Sequence, residues 1–508
     1  MVQFFKAKPR SKHSPRRKTR GAKRVAINKE KAPSQNRLPQ NQTQNQSQNQ
    51  SIQSATLPSS DAQPSERSQA SSNQVFKDVH VDTMDHHGQA LVLSTRPITI
   101  VAGALANETV TMQMQSFGKN VQHAKVISIQ QASEQRVKPF CDVYESCGGC
   151  QLQTLSAEHG LYYKEDSLKR FLYKMAGVSE QAWQAPILST IDYSQQRQAM
   201  GYRRKVRLAI DARDKQNIKM GYRKAQSNQV VDIENCPVLH HDLQRVLTLL
   251  LPALRALPFV QKLGHLELTR SLDGVIVLIN MAKSVLATDL LPLQALAERL
   301  QIRIMCRYKH KLITDYGEQS ASLAISDYQD VKLNIAPEHF IQVNASVNTL
   351  MLTQVIEWFD DIQGALIHDF FCGMGNFTVA LAKHHRAIVG YEVSESMVAQ
   401  ARSNAAINSA AHAQFKQANL SDKIALDALD IKSTDAVLLD PARDGAQALC
   451  EKLNHSQVGR IVYVSCNPDT LARDLKILKQ SYTVKYIKAL DMFPFTQHLE
   501  TMALLERS

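Results

Sequence analysis

The alternation of hydrophobic and polar positions divides the chain into four stretches. Residues 1–74 contain too few apolar residues to offset the entropy of ordering the chain, so they predict no fold. In residues 75–139, short β-type runs alternate with turn residues, which is typical of a small all-β barrel. Residues 140–335 are mixed, and residues 336–508 alternate strand-like with helix-like runs. The last pattern predicts an α/β fold with a doubly wound parallel sheet.

The same pattern sets the expected bounds of individual elements. Strands are predicted over 90–93, 98–101, 109–114, 124–129, 274–279, 365–371, 387–392, 435–440 and 460–465. Helices are predicted over 242–251, 287–300, 378–384 and 394–408, the first of them ending at Pro252. The cationic run of residues 203–207 is expected to face solvent or phosphate, because a row of positive charges is costly in a core.

One short stretch combines a buried strand with a reactive side chain. The apolar run from Ile461 stops at Ser465-Cys466-Asn467-Pro468, and Pro468 is expected to end the strand. Cys466 would then lie at the carboxyl end of a parallel strand, where chemistry collects in open α/β sheets. A lone cysteine is usually a small buried residue, so the strand alone leaves a packing role and a nucleophilic role open.

A glycine-rich loop indicates where a cofactor binds. Asp369-Phe-Phe-Cys-Gly-Met-Gly-Asn-Phe377 follows a predicted strand and opens a predicted helix, so its backbone can approach a ligand closely. Glu392 ends the next predicted strand, where a carboxylate can accept both hydroxyls of a ribose. The sequence has no Gly-Lys-Ser/Thr phosphate loop. This combination favours S-adenosylmethionine over ATP.

Charge is distributed unevenly along the chain. Most of the net charge of +13 comes from residues 1–31, which contain twelve Lys and Arg and one acid. Such a basic arm binds polyanions through counterion release, although a solvated tail without a partner would have the same composition. The sequence has neither a run of eighteen apolar residues nor the apolar core of a signal peptide. We therefore expect a cytoplasmic protein that does not contact a membrane.

Three of the eight cysteines lie close together in the sequence, at Cys141, Cys147 and Cys150. Disulfides are rare in the cytoplasm, so this grouping indicates a metal centre. Three such thiolates with a distant fourth cysteine hold either zinc or an iron–sulfur cluster, and the spacing does not distinguish the two.

Four motifs occur in order and resemble one family. They are Phe371-Cys-Gly-Met-Gly-Asn-Phe377, Asp440-Pro-Ala-Arg443, Ser465-Cys-Asn-Pro-Asp469 and Phe493-Pro-Phe-Thr-Gln-His-Leu-Glu500. The chain resembles the bacterial RNA uridine C5-methyltransferases, which form 5-methyluridine. With its cysteines and a β-rich segment that resembles an RNA-binding TRAM domain, it is similar to the 23S ribosomal RNA branch, which modifies a uridine corresponding to position 1939. The resemblance covers about residue 75 to the C-terminus.

The resemblance implies a domain organisation. Residues 1–74 fall outside it and are expected to be a disordered basic arm and tether. Residues 75–139 would form the TRAM (OB-like) domain, and residues 140–335 a mixed α+β central RNA-binding domain with an iron–sulfur cluster. Residues 336–508 would form a Rossmann-like, S-adenosylmethionine-dependent methyltransferase domain.

The resemblance also implies functional residues. It gives Cys466 as the nucleophile and Glu500 as the base. The residues that it assigns to S-adenosylmethionine are Gln342, Phe371, Asn376, Glu392, Asn419 and Asp440. The residues that it assigns to a four-iron, four-sulfur cluster, with zinc as the alternative, are Cys141, Cys147, Cys150 and Cys236. Phe495 departs from the family pattern, in which His is frequent, and this change bears on local packing or RNA contacts.

The implied reaction explains why a thiol and a base are needed. C5 of uracil is too weak a nucleophile to attack a methyl sulfonium, but addition of a thiolate at C6 makes C5 electron-rich. After methyl transfer, a base removes the C5 proton and the thiolate leaves, so the scheme uses Cys466 and Glu500. The site should stabilise the thiolate or supply a base for the thiol. Asp440 is a candidate to hold substrate and cofactor, and Arg443 to offset the enolate charge.

Two other functions stay open from the sequence. The first is methylation of another 23S uridine or of transfer RNA; relatives for transfer RNA lack the cysteines, and the other ribosomal branch lacks the TRAM-like segment. The second is a non-catalytic iron–sulfur RNA-binding protein that assists ribosome assembly, against which the intact Cys466 and Glu500 argue. We expect 23S rRNA as the partner and a monomer without an obligate protein partner.

Overall fold

The structure is a computed structural model that describes residues 73–187, 200–225, 227–385 and 387–508. The predicted basic arm and nearly all of the predicted tether lie outside the described residues. No described helix combines the length and the apolar character that crossing a membrane requires.

The first sheet is built from the residues that predict an all-β region. Its strands are β1 (Val75–His80), β2 (Thr83–Met84), β3 (Ala90–Val92), β4 (Ile98–Ala102), β5 (Thr109–Phe117) and β6 (Val121–Gln131). They lie in the order β1-β5-β6-β4-β3-β2, and only β4 and β6 pair in parallel. Val81, Val92 and Met112 are fully buried between the strands. Glu108 is also fully buried, and it accepts a hydrogen bond of 2.8 Å from Arg136 Nη2.

The second sheet and its helices form the mixed region. The elements are α1 (Ala157–Ala176), β7 (Lys205–Asp211), β8 (Lys219–Arg223), β9 (Val230–Asp232), α2 (His241–Arg255), β10 (Leu263–Arg270), β11 (Val275–Met281), α3 (Leu291–Leu300), β12 (Arg303–Tyr308) and β13 (Lys311–Tyr316). Short 3-10 helices cover Glu180–Ala182, Val260–Lys262, Ala287–Leu290 and Glu318–Ser320. The strand order is β13-β12-β11-β10-β7-β8-β9, and β11 and β12 pair in parallel.

Two expectations for this region were wrong in detail. Helix α2 does not end at Pro252 but continues to Arg255. The apolar face of the helix continues past the proline, and Leu250, Leu251 and Leu254 are all fully buried. Packing of this face therefore outweighs the hydrogen bond that the proline cannot donate. The predicted helix 287–300 is split, because its first turn is a 3-10 helix.

The cationic run of residues 203–207 does not lie on a solvated face as a whole. Arg204 is buried and forms a bidentate ion pair with Asp327, and its Nε donates to the carbonyl oxygen of Gln342 at 2.8 Å. Lys205 Nζ donates to the carbonyl oxygen of Pro337 at 2.7 Å. Within the run, only Arg207 is exposed. The expectation was wrong because a buried carboxylate and main-chain carbonyl groups compensate these charges.

The C-terminal region contains the predicted parallel sheet. Its elements are β14 (Ala324–Tyr328), β15 (Val331–Asn334), α4 (Ala345–Phe359), β16 (Leu366–Phe370), α5 (Asn376–Leu381), β17 (Ala387–Glu392), α6 (Glu395–Ile407), β18 (Gln414–Gln417), α7 (Lys423–Ala428), β19 (Ala436–Leu439), α8 (Gln447–Asn454), β20 (Arg460–Ser465), α9 (Pro468–Leu478), β21 (Tyr482–Leu490) and β22 (Glu500–Arg507). Strands β14 and β15 form a separate hairpin.

The order of the large C-terminal sheet fixes where a ligand can bind. The strands lie in the order β18-β17-β16-β19-β20-β22-β21. Strands β16 to β20 pair in parallel, whereas β22 pairs antiparallel with both β20 and β21. The chain reverses its direction of travel across the sheet between β16 and β19. Such a switch point leaves a crevice at the carboxyl ends of the two strands, which is where open α/β sheets bind ligands.

Candidate active site

Four of the predicted cofactor residues follow four neighbouring strands. Phe371 comes directly after β16, Glu392 ends β17, Asn419 lies two residues after β18, and Asp440 comes directly after β19. Because these strands are parallel, their carboxyl ends meet at one edge of the sheet. The fold therefore places the four residues along a single edge, on both sides of the switch point.

The backbone of the glycine-rich loop turns sharply below this edge. Phe371, Gly373 and Gly375 all have left-handed backbone angles, with φ of +69°, +55° and +93°. A left-handed Phe is strained, as is common where a loop approaches a ligand. Gly373 N–H donates to Glu392 Oε2 at 3.2 Å, and the N–H of Ser394 donates to Oε1 at 2.9 Å. Glu392 is thereby fixed in position while each oxygen keeps a lone pair for a hydroxyl group.

The two remaining cofactor candidates are connected to Arg204 of the central region, Gln342 directly and Asn376 through two further side chains. Asn376 and Asn348 exchange two hydrogen bonds of 3.1 Å, and Asn348 also donates to Asp327 Oδ2 at 2.7 Å. Asp327 is the carboxylate that pairs with Arg204. The main-chain carbonyl oxygen of Gln342 accepts a hydrogen bond from the same arginine. Its buried side-chain Oε1 has no hydrogen-bond partner among the described residues. A buried acceptor without a donor fits a position that a cofactor completes.

Asp369 lies beneath the loop and was given no role from the sequence. It is fully buried, and its Oδ2 accepts a hydrogen bond from the hydroxyl group of Thr378. Its Oδ1 has no partner among the described residues. Burial, followed by the nearby carboxylates of Asp440 and Glu392, raises the pKa of Asp369 to about 8. Asp369 is therefore mostly a neutral acid at neutral pH.

Cys466 lies where the sequence predicts it. Strand β20 ends at Ser465, and Asn467 caps α9 by accepting a hydrogen bond of 3.1 Å from the N–H of Asp469. Pro468 does not end the strand, which stops three residues earlier; it is the first residue of the helix, a position where no N–H is needed. The thiol is half-buried on the single turn between strand and helix.

Glu500 reaches the same place from an antiparallel strand. It is the first residue of β22, and the next residue, Thr501, pairs with Ser465 at the end of β20. Glu500 is only 6% exposed. Burial and then the carboxylate of Asp440 raise the pKa of Glu500 to about 8, against the opposing charge of Arg443. The structure thus brings Cys466, Glu500 and Asp440 within electrostatic reach of one another.

The pKa values of Cys466, Glu500 and Asp440 bear on whether the site stabilises the thiolate or supplies a base for the thiol. Burial, followed by the charges of Glu500 and Asp440, raises the pKa of Cys466 to about 11, and Arg443 opposes this shift only in part. The site of the free protein therefore does not stabilise a thiolate. Burial also raises the pKa of Asp440 to about 7. The neighbouring carboxylates are thus stronger bases than ordinary ones, which favours the alternative that the site supplies a base.

The loop that carries Arg443 is attached to the turn that carries the thiol. Asn467 Nδ2 and Thr470 Oγ1 donate to the carbonyl oxygen of Arg443 at 2.8 and 3.2 Å. The side chain of Arg443 is exposed, and its positive charge opposes the rise in the pKa of both Cys466 and Glu500. Arg443 is therefore well placed to offset negative charge that develops beside the thiol.

Several side chains around the site were given no role from the sequence. Burial, Arg443, Lys164 and further cations lower the pKa of His498 to about 4, so positive groups converge on this side of the pocket. From the first sheet, His86 and His87 approach Asp469 with Nε2 to carboxylate distances of 3.5 and 3.3 Å. These contacts join residues that are far apart in sequence, so no local pattern indicates them.

The four predicted metal ligands line one cavity of about 250 Å³ in the central region. Cys141, Cys147 and Cys150 come from one loop and Cys236 from the segment after β9. Burial raises the pKa of all four thiols. The negative charge of Asp142 raises the pKa of Cys141 further, and the neighbouring thiolates raise the pKa of the other three. Buried or partly buried thiols that line one cavity are suited to a metal centre, because the metal compensates the negative charge of their thiolates.

The spread of the four sulfur atoms bears on which metal centre fits. Tetrahedral zinc with Zn–S bonds of about 2.3 Å requires sulfur atoms roughly 3.8 Å apart. Among the described residues, no three of these cysteines have their Sγ atoms all within 4.8 Å of one another. In the described residues, the four thiols are therefore not arranged as a tetrahedral zinc site.

We expect that replacing Asp369 by Asn weakens the pH dependence of stability. The pKa of this group rises from 3.8 to about 8 on folding, so the folded protein binds the extra proton. The resulting stability is full below the lower value and is lost as pH rises through the upper one. Urea unfolding at about pH 5 and about pH 8 should show a smaller loss of unfolding free energy in Asp369→Asn than in the wild type. Asp427→Asn, at an exposed site, should behave as the wild type; equal losses in all three proteins would contradict the assignment.

Comparison with known proteins identifies the family. The family model described as tRNA (Uracil-5-)-methyltransferase matches residues 191–508. A protein of Vibrio parahaemolyticus named 23S rRNA (uracil(1939)-C(5))-methyltransferase RlmD is 35% identical over 88% of this chain and 99% of its own length. A protein of Shewanella sediminis with the same name is 35% identical over 84% of this chain and 95% of its own length.

A solved structure supports the fold. It is the tRNA (uracil-54, C5)-methyltransferase of Pyrococcus abyssi in complex with S-adenosyl-L-homocysteine, with a TM-score of 0.64 and 23% identity over 84% of this chain and 99% of that chain. The likeness shows that the chain has the fold of an S-adenosylmethionine-dependent methyltransferase. By its family model and its relatives, the chain belongs to the RNA uracil-C5-methyltransferase family, in the group of 23S rRNA enzymes named RlmD.

Proposed function

We propose that this protein methylates C5 of a uridine in 23S rRNA, at the position corresponding to 1939. The observation that carries the proposal is the meeting of Cys466 and Glu500, from two adjacent strands, beside a glycine-rich loop at the switch point. The name that the 35% identical relatives share supplies the substrate. No feature of an RNA-binding assembly factor requires a buried acid next to a thiol.

S-Adenosylmethionine supplies an electrophilic methyl group when it is bound. In our proposal, the residues that bind it are Gln342, Phe371, Asn376, Glu392, Asn419 and Asp440. Cys466 adds to C6 of the uracil, C5 then takes the methyl group, and Glu500 removes the C5 proton as the bond between C6 and sulfur breaks. The target base has to leave its stack to reach a thiol that is half-buried.

The raised pKa values give the acids distinct tasks in this scheme. Asp440, with a pKa of about 7, is ionised often enough at neutral pH to take the proton of the thiol. Glu500, with a pKa of about 8, is a stronger base than an ordinary carboxylate and suits removal of a carbon-bound proton. Arg443 stabilises the enolate that forms after addition.

The remaining regions serve the RNA in this proposal. Residues 75–139 act as the TRAM (OB-like) domain, residues 140–335 as the central RNA-binding domain, and residues 1–74 as a basic arm and tether that adds affinity without selectivity. The protein acts as a monomer in the cytoplasm, where its rRNA substrate is made. The contact of His86 and His87 with Asp469 supports a role for the first domain at the mouth of the pocket.

We further propose that Cys141, Cys147, Cys150 and Cys236 hold a four-iron, four-sulfur cluster. The family resemblance supports a cluster over zinc, and the cavity that all four cysteines line provides a place for it. The methylation scheme contains no redox step. The cluster therefore has a structural or RNA-docking role in our proposal.

A strain that lacks the gene should lose one 5-methyluridine from its 23S rRNA. Mass spectrometry of rRNA fragments should locate the loss at the position corresponding to 1939, and a plasmid copy of the wild type should restore the methyl group. A Cys466→Ala copy should not restore it, whereas Cys306→Ala, at a buried cysteine of the central sheet, should. Loss of a methyl group from another 23S uridine or from transfer RNA would contradict the assigned substrate, and an unchanged pattern would contradict the activity.

Anaerobically purified protein should contain about four iron and four sulfide per chain and absorb visible light. Cys236→Ser should lose most of the iron, because it removes the ligand that comes from the distant segment. Cys306→Ala is the matched control, since this cysteine is buried but lies outside the cavity, and it should keep its iron. Stoichiometric zinc without sulfide would contradict the cluster.

A further inference from the structure

The segment that leads into Glu500 is held by the central region rather than by its own sheet. Between the end of β21 at Leu490 and the start of β22 at Glu500, nine residues form a loop, residues 491–499. We call these residues the base loop. Three parts of the central region contact the main chain of the base loop. They are helix α1, the segment before β7, and residues 141–152, which we call the cysteine-containing loop. The position of Glu500 therefore depends on contacts with residues that lie at least 292 positions earlier in the chain than the residues they hold.

Lys164 makes the most direct of these contacts. It projects from α1, is only 1% exposed, and its Nζ donates to the carbonyl oxygens of Thr496 and His498 at 3.2 and 3.0 Å. The same ammonium group lies 3.5 Å from Asp491 Oδ1. One buried cation thus joins the first residue of the base loop to two carbonyl groups near its end. Burial of a charged lysine is costly, and it lowers the pKa of Lys164. The contacts with Asp491 and the two carbonyl groups compensate this cost.

The cysteine-containing loop holds the middle of the base loop. The N–H groups of Gln151 and Leu152 both donate to the carbonyl oxygen of Phe495, at 3.0 and 2.9 Å. The N–H of Gln497 donates back to Gln151 Oε1 at 3.3 Å. Gln151 directly follows Cys150, so the residue next to a predicted metal ligand is hydrogen-bonded to the base loop.

Phe495 explains why this part of the base loop has a fixed shape. Its side chain is 3% exposed and packs edge-on against Phe140, with ring centroids 4.9 Å apart. Its backbone is left-handed, with φ of +64°, which turns its carbonyl group toward the cysteine-containing loop. The departure from the family pattern at this residue thus affects packing. Tyr202 adds a further buried contact, since its hydroxyl donates to the carbonyl oxygen of Pro494 at 3.3 Å.

We infer that Lys164 is a positioning residue for the base, and that the cysteine-containing loop and Tyr202 support it by holding the same base loop. This inference rests on the proposed function, in which Glu500 removes the C5 proton. Proton abstraction needs the carboxylate within hydrogen-bond distance of the carbon-bound proton, so a displaced loop slows this step more than the earlier ones. Nucleophilic addition and methyl transfer use Cys466 and the cofactor loop, which are not attached to the base loop by Lys164.

The test measures whether the methylated covalent adduct between Cys466 and the uracil accumulates, because Glu500 is needed to break it down. Lys164→Met keeps the length of the side chain but removes the charge and all three donors. With wild-type 23S rRNA fragment and S-adenosylmethionine carrying a labelled methyl group, this variant should turn over about 10- to 100-fold more slowly. A labelled protein–RNA adduct should appear on a denaturing gel at several times the wild-type amount. Affinity for S-adenosylmethionine, measured by calorimetry without RNA, should stay within about twofold of the wild type.

Two further variants keep the inference testable if Lys164→Met does not fold. Tyr202→Phe removes a single hydroxyl group from the same set of contacts and should give a smaller rise in adduct, about threefold. Lys174→Met, at an exposed residue in the last turn of α1, is the matched control and should show wild-type turnover without extra adduct.

The outcomes separate the inference from the proposed function. A wild-type protein that does not methylate the rRNA fragment contradicts the proposed function itself. A wild type that methylates, together with a folded Lys164→Met that keeps full turnover, contradicts the inference. Loss of turnover without adduct in both Lys164→Met and Tyr202→Phe also contradicts it, because a merely structural defect slows every step alike.

Discussion

The parallel pairing of β16 with β19 is the constraint on which the site depends. The two strands are neighbours in the sheet but are separated in sequence by two further strands, so the connections that leave their carboxyl ends run in opposite directions and leave a crevice. The N–H of Asp440 still reaches the carbonyl oxygen of Phe370, at 3.3 Å. This contact fixes the distance between the cofactor loop on one side and Asp440 on the other. Cys466 and Glu500 then follow from the next strands in the same sheet.

Burial of acids at this edge gives the site its chemical character. Asp369, Asp440 and Glu500 all have raised pKa values, with desolvation as the largest cause of each. The charge of Asp440 adds to the rise in the pKa of both Asp369 and Glu500, so ionisation of Asp440 makes ionisation of these two neighbours more costly. A site of this kind can accept a proton from a thiol or a carbon without a histidine. The nearby His498, with a pKa of about 4, is neutral at working pH.

The sequence predicts best what depends on local pattern. Strands β17 and β20 have the predicted bounds because apolar, β-branched runs are bordered by turn residues on both sides. Cys466 was indicated by its place at the end of such a strand, whereas Glu500, at the start of β22, was given only by the family resemblance. In contrast, Arg204 was predicted to face solvent or phosphate, and Lys164 was given no role. A basic residue is expected on the surface unless its partner is known. Their partners, Asp327 and the base loop, become neighbours only in the folded chain.

The central claim is that Cys466 forms a covalent bond to the uracil and that Glu500 releases it. The most direct measurement is denaturing electrophoresis of Glu500→Gln after incubation with 23S rRNA and S-adenosylmethionine that carries a labelled methyl group. The account predicts a stable protein–RNA adduct that contains the label, and no adduct when Cys466 is also replaced by Ala. Absence of the adduct in Glu500→Gln, with turnover retained in Cys466→Ala, would contradict the account.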